Sequence, residues 1–151
     1  MRRHVIIGRF GPDDRMRFPL GEGEIETQLN LVDGELSLGH GIGRALGDLA
    51  RLGVYPSEIG VDVLILAAHV HAADTRISRT SESQDGWTRE IRLIVPVSDS
   101  ERWTTVAPTF VRMLNFLTGE PQARQVAIAG VYRRGLEEVG ALLAGVRTRP
   151  G

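Results

Sequence analysis

Between residues 87 and 117 the sequence changes its period once, and that change constrains the fold more than any other feature of the chain. Trp87, Arg89, Ile91, Leu93, Val95 and Val97 alternate with Thr88, Glu90, Arg92 and Ile94. A two-residue repeat places each set on one face of extended backbone, so the stretch reads as one long strand. After Ser98-Asp99 the repeat lengthens: Trp103, Val106, Phe110, Leu114 and Leu117 recur at the spacing of one helix face until Gly119 ends the run. Ser98 or Asp99 supplies the oxygen that caps the first turn. Pro108, which has no N–H to donate, predicts a kink or a second first turn inside it. Ile77 to Arg79 is a candidate partner strand across the polar residues that precede Trp87.

The rest of the chain supplies a few more elements. His4-Val5-Ile6-Ile7 is a short apolar run closed by Gly8 and Gly11-Pro12, and Ile25, Thr27, Leu29 and Leu31 alternate within Glu24 to Val32, ahead of Asp33-Gly34. Both read as strands that can pair with one another. From Ser37 to Leu52, Ile42, Leu46 and Leu49 return at helical intervals, in a helix weakened by Gly43 and Gly47. The glycines Gly39, Gly41, Gly43 and Gly47 fall in no register that gives the G-x-G-x-x-G of a dinucleotide loop. Val126 to Tyr132 reads as a strand and Gly140 to Ala144 as part of a helix. The fold class expected is α+β: a small mixed or antiparallel sheet with two to three packed helices, in a single domain plus a short C-terminal tail.

Composition narrows the classes of function. The chain has 151 residues, 42% of them hydrophobic, enough for one ordinary core. Eighteen basic residues, all arginine, oppose nineteen acidic ones for a net charge of -1, so no overall field draws the chain to nucleic acid or anionic lipid. Cysteine is absent, which removes disulfides, thiolate metal sites and a cysteine nucleophile together. The start, MRRHVIIGRFGPDD, carries an apolar run too short for a signal peptide, and no run reaches membrane-spanning length, so the expectation is a cytoplasmic protein with no membrane partner.

The stretch "AAHVHAAD" offers His69, His71 and Asp74, residue types that ligate zinc and leave a position open for water. The backbone decides whether they can. Pro56-Ser57-Glu58 is a plausible helix start, and Ile59, Val63, Leu66, Ala67, Val70 and Ala73 then repeat at helical spacing. On a helix, residues two apart point about 200° away from each other, so the two histidines could not grip one ion. The expectation is therefore no metal site, with one histidine at the margin of the core and the other facing solvent. Were the stretch extended instead, the chain would be a small metal-dependent hydrolase with Glu82 or Asp85 as its base.

A resemblance appears along the same residues. "AADTRISR", "DGWTREIRLIVPVSDSERW" and "LNFLTGE" look, in that order, like the N-terminal region of the 7-cyano-7-deazaguanine synthase-like (QueC-like) proteins of bacterial anti-phage defence operons. The similarity covers roughly Asp62 to Glu120. The chain departs from the family at His71, where an aromatic is usual, and at Glu120, where aspartate is. The family places an ATP-pyrophosphatase loop, Ser-Gly-Gly-x-Asp-Ser, directly after this region. Here Arg133, Arg134, Glu137 and Glu138 stand where the first serine, first glycine, aspartate and last serine would be, and only Gly135 agrees. Two carboxylates at a phosphate-facing turn repel ATP, and arginine side chains fill the space that glycines leave open.

The resemblance implies an accessory domain over residues 1–119, followed over 120–151 by a degenerate loop remnant or tail, without catalysis and without a cofactor of its own. The chain would be a free-standing or truncated copy whose work is contact with a protein partner, either its catalytic synthase half or a sister subunit. Asp74, Arg76, Arg79, Trp87 and Arg89 are the candidates for a contact patch of arginine and aromatic character. A gene fragment with no independent role is the remaining alternative.

Overall fold

The computed structural model describes residues 3–10, 14, 16–33, 37–38, 41–77, 89–117 and 124–133. Along them run β1 (Arg3–Arg9), β2 (Glu24–Asn30), the short strands β3 (Val32–Asp33) and β4 (Ser37–Leu38), and the helices α1 (Ile42–Arg51) and α2 (Glu58–Ala72). One π-helical turn, Ala73–Ile77, extends α2 and is followed by β5 (Arg89–Val97), α3 (Ser100–Leu117) and β6 (Arg124–Arg133). Among the described residues the fold is α+β, with three α-helices, a four-stranded sheet and a two-stranded ladder.

The principal sheet has the order β2-β1-β5-β6 and every neighbouring pair in it is parallel. Its direction corrects the expected mixed or antiparallel pairing; among the described residues only the two-residue ladder of β3 with β4 is antiparallel. The reason lies in two uninterrupted apolar runs. Val5-Ile6-Ile7 on β1 and Leu93-Ile94-Val95 on β5 are all buried, which requires cover on both faces, the usual condition of a parallel sheet. β6 lies in the stretch expected to be a tail, and its backbone pairs with β5 from Arg89 opposite Arg124 to Val97 opposite Arg133, with a bulge beside Leu93 and Ile94. Of the strand expected at Ile77 to Arg79, Ile77 instead closes the π-helical turn, while Ser78, Arg79 and the expected helix at residues 140–144 lie outside the described residues.

Topology decides where the helices go. The links from β2 to β5 and from β5 to β6 both move across the sheet in the same direction, and right-handed crossovers then place α2 and α3 on the same face. That face carries the larger core: Ile6, Leu29, Ile91, Leu93, Val95 and Val97 from the strands meet Val61, Ile65, Leu66, Trp103 and Leu114 from the helices. Each fully buried aliphatic side chain of this kind contributes about 1.5–3 kcal/mol. On the other face, Val5, Ile7 and Ile94 form a smaller cluster with Phe18 from the link between β1 and β2. Beside it, Arg92 of β5 reaches across β1 to both carboxylate oxygens of Glu24 on β2, at 2.8 and 2.7 Å.

The helix boundaries follow from local chemistry. The Ser57 hydroxyl accepts the Gly60 N–H at 3.2 Å and so caps α2. Asp99 caps α3 by accepting from the Arg102 N–H at 3.1 Å, which leaves Ser98 to a different partner. α1 ends where Gly53 takes a φ of 73°, with its N–H on the Ala50 carbonyl and the Val54 N–H on the Leu49 carbonyl. That pair of bonds closes the helix only if the turning residue tolerates the left-handed region, which glycine does without strain. α3 continues through the exposed Pro108 as one helix rather than restarting there.

Candidate functional site

α2 is the unusual element. Its sequence, EIGVDVLILAAHVHA, has apolar residues on every side. The inner side is spoken for: Val61, Ile65, Leu66, Ala68 and Ala72 are buried against the sheet. The outer side carries Ile59, Val63 and Ala67, all exposed, where a helix on the surface of a monomer ordinarily turns polar residues to water. The stripe that sequence spacing picks out is thus in large part the outward one. Because almost every register of this helix is apolar, its Ser57 cap and alanine-rich sequence mark the helix, but spacing does not say which side of it faces the core.

Alongside lies α3, whose exposed residues Met113, Phe116 and Leu117 continue the apolar surface. Between the two helices runs an open groove of about 580 Å³. Val63, Ala67 and Val70 line one wall, Phe110, Met113 and Leu117 the other, and Ile91 of β5 lies beneath. Both helices are antiparallel to the strands they connect, so both end at the same end of the groove. His71 and Asp74 stand at that end, where the carbonyl termini of α2 and α3 add partial negative charge to the carboxylate. Volume and lining suit an apolar occupant, held in place by a few polar groups at one end.

The histidines separate as the helical reading requires, yet His69 lies in the middle of the core rather than at its margin. It is fully buried, with Nδ1 2.8 Å from the Ile65 carbonyl oxygen and Nε2 3.2 Å from that of Ile94. Carbonyl oxygens only accept, so each contact is a hydrogen bond when that ring nitrogen carries its hydrogen. Both nitrogens thus face backbone. His71 is exposed and lies on the groove. Among the described residues no three histidine, aspartate or glutamate side chains come together as metal ligands. His69, His71 and Asp74 do not converge.

Of the expected contact residues, Asp74 and Arg76 are exposed on the turn that ends α2, and Asp74 belongs to the groove. Arg89 opens β5, and Arg79 and Trp87 lie outside the described residues, as do Glu82 and Asp85. Arg133 is the last residue of β6; Arg134, Gly135, Glu137 and Glu138 lie outside.

Sequence reasoning passed over Asp62. Its carboxylate is fully buried and accepts the Ser98 N–H at 3.1 and 3.2 Å, the Ser98 hydroxyl at 2.6 Å and the Trp103 Nε1–H at 2.8 Å. These bonds tie α2 to the end of β5 and the first turn of α3, which fixes how the two walls of the groove stand. The available signal was a lone carboxylate within Val61-Asp62-Val63-Leu64-Ile65-Leu66, since a charge in an apolar run needs donors brought by another element. No helix among the described residues is long and apolar enough to cross a membrane. No family model, curated protein or solved structure matches the chain.

Proposed function

We propose that the chain is a non-catalytic interaction domain, similar to the N-terminal region of QueC-like synthases, that presents the α2–α3 face to a protein partner. The observation that carries this reading is the outer face of α2, apolar and exposed at Ile59, Val63 and Ala67, set beside exposed Met113, Phe116 and Leu117. Contiguous apolar surface of this kind marks contact sites, because leaving it in water costs about 25 cal/mol for each Å² that a partner would cover. The resemblance of residues 62–120 to that family supports an accessory role beside a catalytic synthase half or a sister subunit. The alternative of a metal-dependent hydrolase is not carried forward, because His69 turns both ring nitrogens to backbone carbonyls.

The test has two arms. Co-expression of the tagged chain with a QueC-like catalytic polypeptide is expected to yield a complex that Val63→Asp, an exposed change, abolishes. Titration calorimetry with ATP and magnesium is expected to give no affinity tighter than about millimolar. AMP produced in proportion to added protein would overturn the non-catalytic reading.

A further inference from the structure

Among the described residues β2 borders the sheet with nothing paired to its outer edge. From Ile25 to Leu29 its backbone is hydrogen-bonded to β1 alone, and the side-chain bond there runs from Gln28 Nε2 to Glu26 Oε1 at 2.8 Å. Leu29 packs beneath the helices, so Ile25 and Thr27 share that face, whereas Glu26 and Gln28 are exposed on the other. An unpaired edge of this kind is a template for another strand. We infer that the strand is β2 of a second copy of this chain, antiparallel about a two-fold axis at Thr27, which joins the two sheets into one of eight strands, four from each copy. The ladder uses the sheet edge and leaves the α2–α3 face open, so this inference does not rest on the reading of that face.

The strand's own sequence selects a second copy and fixes the register. A two-fold axis normal to the sheet keeps every side chain on its own face, so the axis must pass beside one residue that meets its own copy. Centred on Thr27, the whole open stretch pairs within itself: Ile25 with Leu29, Glu26 with Gln28, and Thr27 with Thr27. Centred on Glu26, the carboxylate would face its own copy, which costs stability. Centred on Gln28, Ile25 and Glu26 fall opposite residues beyond the open stretch. Only the Thr27 register uses the full edge without opposing like charges.

In that register the polar face is complementary. The Gln28 amide has two hydrogens and the Glu26 carboxylate two oxygens, so each glutamine keeps its own glutamate and also donates to that of the other copy. Directly opposed Cβ atoms about 4.5–5.5 Å apart bring these groups within reach. On the helix-bearing face, Ile25, 48% exposed in the monomer, gains Leu29 of the other copy as its cross-strand neighbour. A short ladder of this kind buries less than the roughly 1,200 Å² of a standard interface, so a dissociation constant of about 10–100 μM is expected.

Sedimentation equilibrium of the full chain from about 1 to about 300 μM reads the association. A reversible monomer–dimer transition is expected. Gln28→Glu, an exposed change that sets glutamate opposite glutamate, is expected to weaken the dimer at least tenfold, and Gln28→Glu combined with Glu26→Gln, which swaps the pair, to restore it. The register has its own readout, because the chain has no cysteine. Opposed Cα atoms about 4.5–5.5 Å apart lie within the span of a disulfide, so Thr27→Cys is expected to cross-link two copies under mild oxidation. Ile25→Cys, whose copies would stand roughly 13 Å apart along the ladder, is expected to stay unlinked. A monomeric wild type at the highest concentration overturns the inference, as does a dimer that persists in Gln28→Glu, a swapped variant as weak as the single one, or cross-linking of Ile25→Cys as efficient as that of Thr27→Cys.

Discussion

The Trp103 indole Nε1–H donates to the Asp62 carboxylate at 2.8 Å, joining α3 to α2 inside the core. The same carboxylate holds the N–H and hydroxyl of Ser98, so one buried carboxylate on α2 satisfies donors from the strand end and from α3. Asp62→Ala leaves those donors unpaired and is expected to destabilise the fold by about 3–5 kcal/mol in urea unfolding. Asp62→Asn keeps one acceptor oxygen and should cost less than half of that. Equal losses in the two variants would show that the packing of the side chain, not its hydrogen bonds, is what matters.

Trp103 also packs against Phe110, with ring centroids 5.0 Å apart. Trp103→Ala removes both the buried ring and the donor, and a loss of about 3–5 kcal/mol is expected. Trp103→Phe keeps most of the ring and isolates the missing donor; it should fall between wild type and alanine. A wild-type melting curve for the alanine variant would place this ring outside the core.

Gly8 of β1 lies directly against the His69 ring of α2. A Cβ at position 8 would stand 2.6 Å from His69 Nε2, 2.7 Å from its Cε1 and 2.8 Å from Pro96 Cδ, all well inside contact distance. Gly8→Ala is therefore expected to cost about 1–3 kcal/mol through overpacking. Part of that cost should disappear in a His69→Ala background, giving a coupling of about 1 kcal/mol in a double-mutant cycle. Strict additivity would mean that the backbone of β1 yields instead of the ring.

The two histidines make an asymmetric pair of variants. His69→Ala opens a cavity in the core and removes the ring N–H that faces a backbone carbonyl, and a loss of about 2–4 kcal/mol is expected. His71→Ala, on the exposed side of the same helix, should stay within about 0.5 kcal/mol of wild type. A shared metal would instead make both variants fail together and would raise the wild-type melting temperature on addition of zinc.

Acid is expected to weaken the face opposite the helices through Glu24. Burial alone raises the pKa of its carboxyl, but the Gly21 N–H at 2.6 Å and the Arg92 guanidinium outweigh that effect and hold it below its ordinary value of 4.5. A carboxyl with a lowered folded pKa contributes stability above its unfolded pKa and loses it as pH falls through the folded one. The stability difference between wild type and Glu24→Gln should thus be constant near neutrality and shrink below pH 4.5. A difference that is flat down to pH 3 would remove the ion pair from the account.

The strand-to-helix switch at Ser98-Asp99 was legible in the sequence because both sides of it are amphipathic: a period of two gives way to one of 3.6, and nothing tertiary is needed to see that. The helical state of residues 58–72 was legible too, and with it the separation of His69 from His71. Strand direction was not. Glu90 and Arg92 give the first half of β5 the alternation of a strand with one wet face, while the Leu93-Ile94-Val95 run reports cover on both faces, and only the crossovers that put α2 and α3 on one side resolve the two.

The inner side of α2 was hidden for a related reason. A helix apolar all round has no preferred face until the sheet supplies one, and the sheet chose the side that carries Asp62 and His69 because Ser98, Trp103 and the Ile94 carbonyl meet them there. Local periodicity, which needs only neighbours three or four residues away, determined the elements of this protein. The partners of a buried carboxylate 36 and 41 residues distant, and the apolar face left over once they are satisfied, were decided by tertiary structure, since such contacts exist only after the chain has closed on itself.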